Sequence, residues 1–134
     1  MIAVAVAGAL GRMGSEVIRA VNAADDLEVV AGVDVPGAIS NQPSAFRFQV
    51  GTDLRQAIAG TKPRVLVDFT VAEAAFANAM TALELGVRPV IGTTGMSPEQ
   101  LQRLESRASE TKTGAFVAPN FALGAVLMMY FARI

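Results

Sequence analysis

No cysteine and no histidine occur in the 134 residues. The first absence excludes disulfides and thiolate chemistry, and a fold without such staples suits the cytoplasm. The second excludes a His general acid or base and a His metal site, so no metal is expected. Charge is scarce as well. Eleven basic against 12 acidic residues leave a net −1, and no overall field draws nucleic acid or an anionic membrane. Charged residues make up 17% against 52% apolar, which argues against disorder and, at this length, for one domain with one core. No apolar run suits a membrane span. The apolar start lacks a basic leader and runs straight into glycines, as a strand does and a signal peptide does not. The most apolar stretch, 115–134, is interrupted by Pro119, Asn120 and Gly124 and carries Arg133. Its clean part, 122–132, is too short to cross a bilayer.

What is present is concentrated at the start. Met1-Ile2-Ala3-Val4-Ala5-Val6-Ala7 is an apolar run of strand length that empties into Gly8-Ala9-Leu10-Gly11-Arg12-Met13-Gly14. Met13, Val17, Ile18 and Val21 then recur at helical spacing to about position 24, and 27–33 reads as a second strand ending at Asp34. Strand, helix and strand in this order make a right-handed parallel βαβ unit. From 35 to 51 the pattern gives way to Pro36, Gly37, Ser40, Asn41, Gln42 and Pro43, a long loop with a short extended piece over 46–50. Three helix starts follow, with Asp53 before Gln56, Thr70 before Glu73, and Ser97 before Gln100 with Pro98 between. Each spacing fits or approaches a capping box. The helices are expected over 53–59, 71–85 and 98–110, with strands over 64–68, 88–91 and 114–118. Such alternation predicts an α/β, doubly wound parallel sheet covered on both faces. The last stretch, Phe121 to Ile134, is apolar nearly all round a helix, so something must bury it: the core on one face, or a second domain or subunit.

In a sheet of this kind ligands bind outside the carboxyl ends of the strands. The glycine turn fits a dinucleotide pyrophosphate, since glycine lets backbone come close and a helix start offers unpaired N–H groups. Its first spacing is three where the usual fingerprint has two, and a ligand-free strand-to-helix turn would use the same glycines. Asp34, 20 residues past Gly14, is placed to accept from adenosine ribose hydroxyls, or else forms an Asx turn before Pro36. A carboxylate repels a 2′-phosphate and no Arg or Lys occupies 35–37, which leans toward NADH. Arg12 offsets that lean if it reaches such a phosphate, and otherwise is a solvated helix-start arginine. Gly92-Thr93-Thr94-Gly95 follows one strand and Ala118-Pro119-Asn120-Phe121 another, both facing the same crevice. The threonines suit a nicotinamide ribose or a carboxylate. Asn120 suits either the nicotinamide or a helix N-cap, and Phe121 an apolar wall. Phe69, in Asp68-Phe69-Thr70, suits a place beside an adenosine or ribose, while Thr70 reads as a helix cap.

These four motifs, in this order and with Gly124, closely resemble the dihydrodipicolinate (4-hydroxy-tetrahydrodipicolinate) reductase family of bacterial diaminopimelate and lysine synthesis. The resemblance covers essentially all 134 residues but only that family's N-terminal, nucleotide-binding domain. It implies a Rossmann-type domain over 1–134 that leads, through its apolar last helix, into a substrate and tetramerisation domain not included here. It implies NADH or NADPH as cofactor. Gly8, Ala9, Leu10, Gly11, Arg12 and Met13 would wrap the pyrophosphate, and Asp34 would take the ribose. Gly92, Thr93, Thr94, Ala118, Pro119, Asn120 and Phe121 would hold the nicotinamide half, with Thr94 nearest the substrate. The implied reaction is hydride transfer to an unsaturated cyclic dicarboxylate. The family's paired histidines and proton-donating lysine follow the helix on which this chain ends, so no catalytic residue is expected in it, and the piece alone is expected to be inactive. The basic residue often found after the ribose-binding acid is absent, which weighs against NADPH preference. A cytoplasmic homotetramer is implied for the full-length protein. Two rival readings are a stand-alone NAD(P)-sensing module that dimerises through its last helix, and an S-adenosylmethionine site, which the Thr-Thr turn and Asn120 do not favour.

Overall fold

The central strand of the molecule is the first one. In the computed structural model, which describes residues 1–118 and 120–133, β1 (Ile2–Ala7) lies between β2 (Leu27–Val33) and β4 (Val65–Asp68). β3 (Val50–Gly51) extends the sheet beyond β2, and β5 (Arg88–Ile91) and β6 (Phe116–Val117) extend it beyond β4. All five pairings are parallel, in the order β3-β2-β1-β4-β5-β6. The winding direction reverses between β1 and β4, and such a switch point leaves a crevice above the strand ends.

Strand alternation divides the core into two faces. Val4 and Val6 point to one side and pack with Ala9, Ile18 and Val21 of the first helical connection, α1 (Arg12–Ala23). Ala5 and Ala7 point to the other and pack with Leu54 and Ile58 of α3 (Leu54–Thr61) and Ala82 of α4 (Ala72–Glu84). Small residues recur where helices press on the sheet. Ala75, Ala79 and Ala82 of α4 are fully buried, and Ala75, Ala79 and Leu83 meet Ile91 and Leu104 of α5 (Pro98–Thr111).

Two of the three expected caps form. The Asp53 carboxylate accepts from the Gln56 N–H at 3.0 Å. Ser97 and Gln100 make a full reciprocal box, with bonds of 3.1 and 2.9 Å. The third does not form, because the Thr70 hydroxyl donates instead to the buried Asp68 carboxylate at 2.7 Å and Val71 stands at the N-cap with no side-chain bond. A buried carboxyl acceptor holds a hydroxyl more strongly than a solvated helix start does.

The 35–51 segment is not the structureless loop expected. Pro36 starts a single helical turn, α2 (Pro36–Ile39), and the Phe46 and Phe48 rings stack at 4.7 Å and pack onto the α1-side core. Extended structure is confined to Val50–Gly51, and the last expected strand is likewise shorter, Phe116–Val117. The last helix, α6 (Leu123–Phe131), has no buried residue, so the expectation that one of its faces joins the core does not hold. Among the described residues, no helix is long and apolar enough to cross a membrane.

Candidate functional site

The site begins where β1 ends. Gly8 has a φ of +75°, a conformation side chains avoid, and a Cβ there would stand 2.8 Å from the Phe69 carbonyl oxygen. Gly14 lies so close to the turn that a Cβ would run into the Gly8 carbonyl oxygen. These contacts draw the start of α1 tightly over the end of the sheet. Gly11 is the N-cap and no side chain caps α1, so its first-turn N–H groups are not taken by a capping side chain.

Asp34 closes the turn from the neighbouring strand. One carboxylate oxygen accepts from the Leu10 N–H and the other from the Val35 N–H, each at 2.8 Å. The bond to the adjacent Val35 N–H is not an Asx turn, whose donor would be the N–H that Pro36 lacks, so the alternative of a turn-forming Asp34 gives way to the long-range clamp on the glycine turn. The Leu10 N–H, expected to face a pyrophosphate, is thereby occupied. The Ala9 side chain is fully buried in the core, which leaves only its backbone for a ligand. Arg12 is exposed and has no ion-pair or hydrogen-bond partner among the described residues.

Two adjoining hollows lie over the strand ends. One of about 460 Å³ is lined by Gly8, Gly11, Asp34, Phe69, Thr70 and Asn78, with Val35 and Pro36 at one side. The second, of about 420 Å³, is lined by Met13, Phe69, Thr70, Gly92, Thr93 and Thr94. Phe69, Thr70 and Val71 are common to both, so the hollows share one wall. A further hollow of about 490 Å³ between α4 and α5 lies away from the strand ends. Its charged residues are already engaged, Arg107 with Glu110, Glu84 with Arg55 and Arg103 over the Phe76 ring.

The shared wall is built on Asp68, the last residue of β4, whose side chain is fully buried. Its carboxylate accepts from the Thr70 N–H at 2.9 Å, the Thr70 hydroxyl at 2.7 Å and the Asn78 side-chain amide at 2.8 Å. The Thr93 hydroxyl reaches it over a longer 3.4 Å, shared with the Thr70 carbonyl. Phe69, the next residue, lays its ring so close over Gly92 that a Cβ there would collide with it. The same ring meets Phe121 edge to face at 5.5 Å, and Phe121 meets Phe116 at 6.4 Å. Asn120 is exposed, and its side-chain oxygen accepts from the Ala122 N–H at 2.9 Å. It closes the turn before α6, whose N-cap is Ala122, so the N-cap expectation for Asn120 is off by two residues. Ala118 is tied to β5 through Ile91, and Pro119 lies outside the described residues.

Thus Gly8, Gly11, Asp34 and Phe69 converge on one hollow, and Met13, Phe69, Gly92, Thr93 and Thr94 on the other. Ala118, Asn120 and Phe121 line neither, and Phe121 joins them only through the Phe69 ring. Asp68 and Asn78 were not foreseen as site residues. A charged residue closing the apolar run Val65-Leu66-Val67 was the available signal for the first. No group of acidic residues among those described could hold a metal ion.

The strand order, the reversal between β1 and β4, and a glycine turn clamped by the acid after β2 define a doubly wound, Rossmann-type domain. The family model described as dihydrodipicolinate reductase, N-terminus, matches residues 2–121, and the chain belongs to that family. A 4-hydroxy-tetrahydrodipicolinate reductase of Moorella thermoacetica is 49% identical over 139 residues, covering 98% of this chain and 51% of the relative. A dipicolinate-bound dihydrodipicolinate reductase from Paenisporosarcina sp. TG-14 superposes with a TM-score of 0.87 at 41% identity, over 98% of this chain and 52% of that one. The WlbA dehydrogenase from Bordetella pertussis, solved with NADH and UDP-GlcNAcA, shares the fold at a TM-score of 0.78 and 22% identity, over 87% of this chain and 36% of its own. The chain spans about half the length of the curated relatives it matches.

Proposed function

We propose that this chain is the cofactor-holding part of a 4-hydroxy-tetrahydrodipicolinate reductase, which reduces a small cyclic dicarboxylate of diaminopimelate and lysine synthesis with NADH or NADPH. The observation that carries this reading is the Gly8–Gly14 turn locked by Asp34 and opening onto two adjoining hollows. The residues suit a dinucleotide: a turn with no room for side chains, an uncapped helix start, a carboxylate beside one hollow and threonine hydroxyls in the other.

In this reading the backbone of Gly8 and Gly11 and the first turn of α1, with Arg12 and Met13, receive the pyrophosphate. Asp34 keeps an unused lone pair on each oxygen for the ribose hydroxyls, which favours NADH over a 2′-phosphorylated nucleotide. Arg12, exposed and without a partner among the described residues, is a cation of the glycine turn that would soften that preference. Thr93, Thr94, Asn120 and Phe121 attend the nicotinamide half, which supplies hydride when bound, and exposed Thr94 lies nearest the substrate. No residue of this chain serves as proton donor. That group, the carboxylate-binding residues and the contacts of a homotetramer belong to a further domain in the full-length relatives' half that this chain does not span. The protein is read as cytoplasmic.

Calorimetric titration tests the reading. NADH is expected to bind with NADPH weaker, and S-adenosylmethionine is expected to give no heat. Binding of S-adenosylmethionine alone would overturn it. A second reading, a nucleotide-responsive sensor without catalysis, draws on the exposed apolar surface of α6. Sedimentation with and without NADH separates the two, since only the sensor predicts an association that responds to the nucleotide.

A further inference from the structure

We propose that Asp68 is a positioning residue that fixes the wall shared by the two hollows and sets the Thr93 turn for the nicotinamide half. The proposal rests on the nucleotide reading above. Asp68 is fully buried, and no arginine or lysine among the described residues pairs with it. An isolated carboxylate is costly to bury unless its lone pairs are filled. Here the Thr70 N–H and hydroxyl at 2.9 and 2.7 Å and the longer Thr93 contact converge on one carboxylate oxygen and the Asn78 amide at 2.8 Å on the other, so the turn before α4, α4 itself and the turn after β5 meet at one side chain. Thr70 leads into α4, Asn78 lies within α4, and Thr93 follows β5. A neutral side chain would accept fewer and weaker bonds at this junction.

The two ends of the crevice are fastened by different side chains. The glycine turn is held by Asp34 at the Leu10 N–H and by backbone bonds from Gly8 and Ala9 to Val33. On the opposite wall Asp68 is the side chain that gathers Thr70 and Thr93, beside a direct bond from the Thr93 hydroxyl to the Thr70 carbonyl at 3.4 Å. Phe69, between Asp68 and Thr70, is held over Gly92 by the same arrangement. Loosening Asp68 therefore frees the Thr70 and Thr93 walls while the pyrophosphate turn stays in place. A general contribution to folding would not distinguish the two ends.

The test compares NADH with ADP, which lacks the nicotinamide and its ribose, by calorimetry on the 134-residue chain and on Asp68→Asn, well below the melting temperature of each. Asn keeps the volume and one acceptor. Folded Asp68→Asn is expected to bind NADH roughly tenfold more weakly and ADP no more than about twofold more weakly, the order of one lost hydrogen bond to a carboxylate. Equal losses for both ligands, or unchanged affinities with only a lowered melting temperature, would show a structural role and overturn the proposal. If the unsubstituted chain binds neither ligand, the nucleotide reading fails and this one with it. Should Asp68→Asn not fold, Thr93→Val against Thr93→Ser carries the test. The valine is expected to reproduce the NADH-selective loss and the serine, which keeps the hydroxyl, to restore binding. An undiminished valine variant overturns the proposal.

Discussion

Gly14 and Gly92 both occupy places where another residue's atoms leave no room for a methyl group, yet the obstructing atoms differ in kind. At Gly14 the obstacle is the Gly8 carbonyl, part of the main chain, so Gly14→Ala must push α1 away from the strand end. A loss of about 1–3 kcal/mol is expected, read as a lowered urea midpoint, together with weaker nucleotide binding. At Gly92 the obstacle is the Phe69 ring, which can swing aside. Gly92→Ala is therefore expected to lose most of its penalty when Phe69→Leu is combined with it. The double-mutant cycle should show a coupling of about 1 kcal/mol or more, and simple additivity would refute the contact. Asp34 belongs to the same scale. Asp34→Ala removes the clamp on Leu10 and an acceptor beside the hollow, and NADH affinity should fall by roughly 10- to 100-fold, the range for one or more bonds to a charged group. Asp34 was legible in the sequence because its role follows from position alone, the end of the second strand. Asp68 was not, since its partners Asn78 and Thr93 stand 10 and 25 residues away and meet it only through the fold.

Elements were legible in proportion to how locally they are determined. The six-residue β1 is an unbroken apolar run, and both caps that formed use bonds over three residues. The Thr70 cap had equally good local spacing and lost to a buried acceptor two residues away, a competition visible only once β4 is known to be buried. The polar and proline-rich letters of 35–51 hide two phenylalanines that fasten the segment to the α1-side core. Between elements, α3 and α4 are joined by Arg55 and Glu84 at 2.8 Å. The arginine's hydrogen bond, then its charge, hold the Glu84 carboxyl below its ordinary value. A depressed folded value means that the pair stabilises above the ordinary carboxylate range and that this is lost as pH falls through the depressed value. Arg55→Gln is expected to move the Glu84 titration, followed by carbon-detected NMR, back up toward an unpaired glutamate. A titration that stays put would show that the exposed pair does not persist in solution.

At the scale of the whole molecule, apolar surface is distributed unevenly. β1 is buried on both faces over Val4–Ala7 and β4 and β5 on one, whereas Leu123, Met128, Tyr130 and Phe131 of α6 are each more than 60% exposed. Substituting Leu123 or Met128 with serine should therefore leave the melting temperature nearly unchanged, within the roughly 0.5 kcal/mol usual for surface positions. Buried Leu83→Ala should cost about 2–5 kcal/mol. The same imbalance separates binding from turnover. Every feature that suits a dinucleotide, the glycine turn, Asp34 and the wall on Asp68, is anchored in the buried part of the sheet. No histidine is available in the chain to deliver a proton. The 134 residues on their own are accordingly expected to bind NADH with a one-to-one calorimetric stoichiometry, and to leave NADH absorbance unchanged when the dihydrodipicolinate-level substrate is added. Supplying the corresponding second half of a full-length relative in trans should restore oxidation if α6 is the surface it covers. Rapid NADH oxidation by the chain alone would place the proton donor within these residues, and the search for it would begin at exposed Thr94.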